Sequence, residues 1–197
     1  MKMSQQAGFS TFSTTKESEI RYETKKSVLT DALREGLIKI KDRLVIEQKW
    51  IMDGDLYRGR IRKTKFFHSP ENDIRKLPFK KYVAIAERLG VDCFCDYGEI
   101  ISVYEHTVKH TIGKSVDLEV TTTLPLDDYA ILDALYKNIP TQKKTRLVLH
   151  DISGEYEDYI ITADIPEDKP DVCWIEFEAK NPPVDKEFNK PEWIKDE

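Results

Sequence analysis

Polar and apolar residues alternate along much of this chain. The clearest case runs through Glu17, Glu19, Arg21, Glu23 and Lys25, with Ile20 and Tyr22 among the residues between them. On a strand such positions share one face, so the pattern predicts a strand charged on one side and apolar on the other. The same reading predicts strands over 44–52 and 56–63, joined through Asp53-Gly54-Asp55, and further strands over 100–110, 115–123, 144–150, 156–164 and 173–180.

Helical spacing is confined to three places. A helix capped near Thr30 or Asp31 would carry Leu33, Leu37 and Ile40 towards the core, although Gly36 interrupts it. A second, over 79–89, has apolar positions at Tyr82, Ile85 or Ala86, and Leu89, with Gly90 as its stop. A third, over 127–137, opens on an aspartate and presents Ile131, Leu132 and Leu135. Residues 1–15 read as a flexible leader rich in Ser, Thr and Gln. Residues 64–78 read as a loop, and 181–197 as an extension or a strap. The expectation is one α+β domain over 16–180, with a longer middle segment around 64–99. Its core would be a mainly antiparallel sheet, with a few peripheral helices, compact enough to curl into a barrel.

Composition narrows the function. With 197 residues the chain can bury one sizeable core. Its net charge of -5 argues against a general binder of duplex DNA, yet leaves room for a local basic pocket. No apolar run approaches the roughly 20 residues of a membrane span, and the N-terminus lacks the apolar centre of a signal peptide. Cys93, Cys95 and Cys173 cannot all pair within one chain. They read as reduced thiols in a cytoplasmic protein.

Several familiar sites are excluded by spacing. Gly113-Lys114-Ser115 resembles the end of a phosphate-binding Walker loop, but Val108 stands where the earlier glycine belongs. Glu105, His106 and His110 lack the order of a helical zinc motif, and Cys93-Phe94-Cys95 has no second pair. What remains is a series of strands with charges on one face. Basic strips at Arg58/Arg60/Arg62, Lys109 and Lys144/Arg146 stand apart from acidic ones at Asp117/Glu119, Asp164 and Glu176/Glu178. Each strip alone could be the solvated face of an amphipathic strand. Together, a cationic wall opposed by an acidic one suits a metal-bound polyphosphate, because unpaired charges in a barrel interior cost several kcal/mol each.

Read in order, the strips resemble the CYTH, or triphosphate tunnel metalloenzyme, superfamily. Glu23-Thr24-Lys25 resembles the end of the E-x-E-x-K signature that opens those proteins, and residues 46–51 (IEQKWI) resemble their second-strand glutamine motif. Arg60-Ile61-Arg62, Thr107-Val108-Lys109, Asp117-Leu118-Glu119 and Lys144-Thr145-Arg146 are similar to the R-x-R, T-x-K, acidic and K-T-R strands. Asp164 and Glu176-Phe177-Glu178 resemble the family aspartate and the closing E-x-E strand. The likeness spans about residues 19 to 180. It departs at the first strand, where Arg21 occupies the first glutamate position. A second register through Glu17, Glu19 and Arg21 puts arginine in place of lysine. An arginine there also resembles the tunnel domain of polyphosphate polymerases.

The resemblance implies an antiparallel tunnel of about eight strands. It implies that Lys25, Arg60, Arg62, Lys109, Lys144 and Arg146 grip phosphate oxygens. Glu23, Glu119, Glu176 and Glu178 would hold Mg²⁺ or Mn²⁺, and Lys25, Asp117 and Asp164 would serve catalysis. The implied activity is release of the terminal phosphate from inorganic triphosphate, a nucleoside or thiamine triphosphate, or an RNA 5′ end. A class IV-type adenylyl cyclase and an inactive phosphoanion-binding tunnel are the alternatives.

Overall fold

A strand that is charged on one face and apolar on the other is stable only if both faces find partners. The computed structural model of the chain, which describes residues 12–67, 100–113, 116–180 and 188–194, meets that demand by putting the apolar core outside a curved sheet and the charges inside it. The elements are β1 (Phe12–Lys25), α1 (Lys26–Arg34), β2 (Ile38–Asp53), β3 (Tyr57–Phe67) and β4 (Ile100–Gly113). They continue with β5 (Val116–Leu124), α2 (Leu126–Leu135), β6 (Gln142–Asp151), β7 (Ile160–Pro166) and β8 (Val172–Lys180).

All pairings are antiparallel, in the order β1-β5-β4-β3-β2-β6-β7-β8. The long β1 closes the ring. Its residues 12–18 pair with β5 and residues 17–25 pair with β8, so the sheet returns on itself as a barrel. The α+β, strand-rich, antiparallel architecture read from the alternation is therefore present.

β8 shows the two-faced logic most plainly. Cys173, Ile175 and Phe177 are each 0% exposed and join the hydrophobic core, while Trp174, Glu176 and Glu178, at the alternate positions, line a cavity. The core is completed by Leu29 and Ala32 of α1 and by Ile161 and Ala163 of β7. The segment 188–194 adds Phe188, Trp193 and Ile194, and so acts as a strap. Phe177 meets the rings of Tyr22, Tyr156, Tyr159 and Phe188 at centroid distances of 5.0–6.3 Å.

Several local expectations are corrected. The first helix starts at Lys26, four residues before Thr30, and has no side-chain cap. It ends before Gly36, whose φ of 73° lets the chain turn directly into β2. Leu37 and Ile40 consequently lie outside the helix and are exposed. α2 begins after Pro125 without an aspartate cap, and Ile131 and Leu135 face solvent. Its attachment to the barrel is polar and aromatic instead. Asp133 meets Lys49 at 2.6 Å and Tyr129 packs on Tyr104 at 4.7 Å, one helical turn apart.

β1 begins inside the expected leader, β2 six residues earlier than read, and β3 continues through part of the expected loop. β7 begins at Ile160, because residues 152–159 form turns. The expected 79–89 helix, Cys93 and Cys95 lie outside the described residues. Among the described residues no helix is long and apolar enough to cross a membrane.

Candidate functional site

Every strand contributes to one cavity of about 870 Å³. The sheet register builds its charge pattern, because residues opposite each other on neighbouring strands pair across the wall. Arg21 faces Glu176 on β8, at 2.6 Å. Lys109 faces Glu119 on β5, at 2.9 Å, and also lies 3.7 Å from Glu19. Arg146 faces Asp164 on β7, at 2.6 Å, and reaches Glu176 at 2.7 Å. Lys144 donates to the same aspartate.

These contacts bias ionisation strongly. Burial alone would raise the pKa of Asp164, but Arg146 and Lys144 hold it well below the usual carboxylate range. Burial likewise works against charge on Glu119, yet Lys109 and Arg60 bring it down to about 2. Arg146 is lowered by burial and raised further by Asp164 and Glu176, with a net rise.

Two cations behave oppositely. Arg60 is lowered to about 10, by burial first and then by the like charge of Arg62. Lys144 is lowered to about 8, by burial and then by Arg146. Burial and neighbouring like charges thus oppose the charge on these two cations. Two orphaned donors lie in the same region: the buried Nε atoms of Arg60 and Arg62 have no hydrogen-bond partner among the described residues. Arg62 otherwise contacts Gln48 at 3.5 Å, and Arg60 lies 3.8 Å from Glu119. A bound oxyanion would satisfy such donors.

No family model matches the chain, and no curated protein matches it. Among solved structures it is similar to a conserved hypothetical protein from Pyrococcus furiosus, with 16% identity and a TM-score of 0.48 over 81% of this chain and 77% of that one. It is also similar to the PH1819 protein from Pyrococcus horikoshii, with 15% identity and a TM-score of 0.49 over 82% and 77% of the two chains.

Of the expected phosphate-binding residues, Arg60, Arg62, Lys109, Lys144 and Arg146 all line the cavity, as do Glu119, Glu176 and Glu178 of the expected metal set. Four expected residues are placed elsewhere. Lys25 is exposed at the end of β1. Glu23 is exposed and accepts from Trp174 Nε1 at 3.1 Å. Asp117 accepts from Arg58 and from Thr111 Oγ1, each at 2.8 Å, and so clamps the strand ends. Asp164 is 0% exposed and saturated by cations, which leaves it no room to orient water.

Strand alternation explains the first two. Glu19 and Arg21 already face the cavity, so Glu23 and Lys25 continue the same face beyond its edge. The register through Glu19 and Arg21 is therefore the one that enters the site. Glu105, outside the expected set, also lines the cavity, 4% exposed opposite Arg62. Its position two residues before Thr107 and four before Lys109 puts it on the same strand face.

Among the described residues no group of three or more His, Cys, Asp or Glu is arranged to hold an ion. The donor set nevertheless contains one suitable pair. Glu19 and Glu178 are direct cross-strand neighbours, and both line the cavity. Like charges so placed repel, and an ion such as Mg²⁺ commonly takes only one or two carboxylates together with substrate phosphates.

Proposed function

We propose that the cavity binds a triphosphate and hydrolyses its terminal phosphate, as the resemblance to the CYTH superfamily implies. The observation that carries this reading is the cluster of Arg60, Arg62, Lys144 and Arg146. These come from β3 and β6, which flank β2, and the Nε atoms of Arg60 and Arg62 are buried without a hydrogen-bond partner among the described residues. A planar guanidinium matches phosphate oxygens with paired donors, and a lysine adds a mobile point charge.

In the reaction a water oxygen bonds to the terminal phosphorus and the bond to the bridging oxygen breaks. Orthophosphate and a diphosphate leave, and a proton passes to solvent. Arg62, deeper along the wall than Arg60, would hold the equatorial oxygens, where charge is spread in such a transition state, and Arg60 the phosphates nearer the mouth. Lys109, already fixed between Glu119 and Glu19, would orient its end of the chain of phosphates. Glu19 and Glu178 would hold Mg²⁺ or Mn²⁺, which when bound supplies charge neutralisation at the phosphates and lowers the pKa of its water.

A tunnel that binds phosphoanions without turnover is the second reading. It is favoured by one residue: Arg21 sits where lysine is usual in the family and is bonded to both Glu19 and Glu176.

The deciding assay incubates the protein with inorganic triphosphate, ATP, GTP or a 5′-triphosphorylated RNA, with Mg²⁺ or Mn²⁺ and a chelator control, and identifies the products. Metal-dependent orthophosphate is expected. Arg62→Ala should raise KM by at least tenfold, and Glu178→Gln should abolish turnover while leaving binding largely intact. Cyclic AMP with pyrophosphate would establish a cyclase, and tight binding without product would establish the second reading. Full activity in Glu178→Gln would overturn the metal assignment.

A further inference from the structure

A triphosphate chain alone does not need this much cavity. At about 870 Å³ it reaches the upper part of the range that holds drug-sized organic ligands. Its opening also carries surface that a bare anion would not use. The chain has three tryptophans. Trp193 packs into the outer core, while Trp50 and Trp174 line the cavity.

Both indoles are half-buried and held by their N–H groups. Trp50 Nε1 donates to Gln142 Oε1 at 3.1 Å, and Trp174 Nε1 donates to Glu23 Oε2 at 3.1 Å. They occupy ends of strands that share one rim: Trp50 near the end of β2, immediately before its bulge, and Trp174 near the start of β8. Between them the rim passes Gln142, which opens β6, and Pro166, which closes β7, and both residues line the cavity. The indoles therefore stand at the mouth, with Arg62, Lys144 and Arg146 further along the wall.

Trp50 also links the two zones. It is the cross-strand partner of Arg60, whose guanidinium carbon lies 5.5 Å from the indole centroid. A ligand whose phosphate meets Arg60 thus has an aromatic surface directly beside that phosphate. Gln142 adds a polar reader. Its Oε1 accepts from both Trp50 Nε1 and Gln48 Nε2. This fixes the amide orientation and leaves the NH₂ group as a donor for a carbonyl or ring nitrogen. Apolar planes with few fixed polar groups are the ordinary makings of an organic ligand site.

We infer that the Trp50–Trp174 rim is a subsite for a heteroaromatic base, so that the ligand is a nucleotide-bearing triphosphate and not inorganic triphosphate. This rests on the reading of the deeper cavity as a triphosphate site. A free nucleoside triphosphate and an RNA 5′ end share the required chemistry. Stacking of a base on an aromatic side chain changes affinity by roughly 5- to 100-fold.

The test measures Kd for ATP, a short 5′-triphosphorylated RNA and inorganic triphosphate, using the full chain and its Trp174→Ala, Trp174→Phe and Trp50→Leu variants. Trp174→Ala should weaken ATP or the RNA 5- to 100-fold and leave inorganic triphosphate within twofold, and Trp50→Leu, which also removes the ring packed on Arg60, should weaken ATP or the RNA at least fivefold more than it weakens inorganic triphosphate. Trp174→Phe, which keeps a ring, should stay near the parent. Whichever of ATP and the RNA responds more identifies the source of the base. Equal losses for all three ligands, or no loss for either base-bearing one, overturn the subsite while leaving triphosphate binding intact. If none of the three binds the parent chain, the triphosphate reading itself has failed.

A second readout does not depend on these variants folding. In Trp193→Phe, saturating ATP or RNA should quench the indole emission and inorganic triphosphate should not. Unchanged emission with bound nucleotide overturns the inference.

Discussion

Asp42 is an ionisable residue placed with little to stabilise its charge. It sits at the bulge of β2, is 6% exposed, and one carboxyl oxygen is buried without a partner among the described residues. The other accepts from the Arg43 backbone N–H at 3.0 Å. Burial raises its pKa to about 6, and that backbone bond only partly offsets the rise. The folded state therefore holds a proton that the unfolded chain has released at the same pH. Stability from this group is fully present below about pH 4, and is lost as pH rises through about 6. Asp42→Asn removes the titration. It should stabilise the protein by roughly 2 kcal/mol at pH 7 and change it little at pH 4, as read by urea unfolding at the two pH values. An equal gain at both would mean that the Asp42 pKa does not differ between the folded and unfolded states.

At the scale of the element, β1 decides which acids and bases meet. Its 14 residues close the barrel, so its register against β8 fixes which of its alternating charges enter the cavity. Alternation made the strand and its charged face legible, but a period of two looks the same after a shift of two residues. The choice between Glu19/Arg21 and Glu23/Lys25 depends on how far β1 overlaps β5 before it meets β8, and nothing local encodes that overlap. The same distinction separates what was legible from what was not in α2. Its length and position were readable, whereas its polar attachment through Asp133 reverses the expected burial of Ile131 and Leu135. The register yields its own prediction. Glu23→Gln and Lys25→Met should each change the Kd for ATP by less than about threefold, while Arg21→Met should change it at least tenfold, since a charged contact contributes on the order of 1.5–3 kcal/mol. Calorimetric titration of the three variants measures the difference, and a larger effect at Lys25 than at Arg21 would reverse the assignment.

For the whole molecule, placing the hydrophobic core outside the barrel frees the interior for charge, and the interior stays folded because most of that charge is paired by register. The remainder is what makes it responsive. Lys144 is faced by Arg146 and Arg62 as well as by Asp164 and Glu176, and its pKa falls to about 8 because burial and the guanidinium groups outweigh the acids. For stability, the folded state sheds this proton before the unfolded chain does, so the group costs folding energy below about pH 8, a cost relieved as pH rises towards 10.5. For binding the sign is opposite, because a polyanion requires the charged form and must draw a proton onto Lys144 above pH 8. ATP affinity should hold steady from pH 7 to 8 and then weaken, approaching roughly tenfold per pH unit as one proton is taken up. The ligand does not compensate, since a terminal phosphate loses its second proton near pH 6. Lys144→Arg, whose side chain keeps its charge, should flatten the profile between pH 8 and 10, and Lys144→Met should lower affinity at pH 7 and be equally flat. If the parent profile is itself flat across that interval, Lys144 remains protonated in the empty cavity and its neighbours stabilise its charge more than they oppose it.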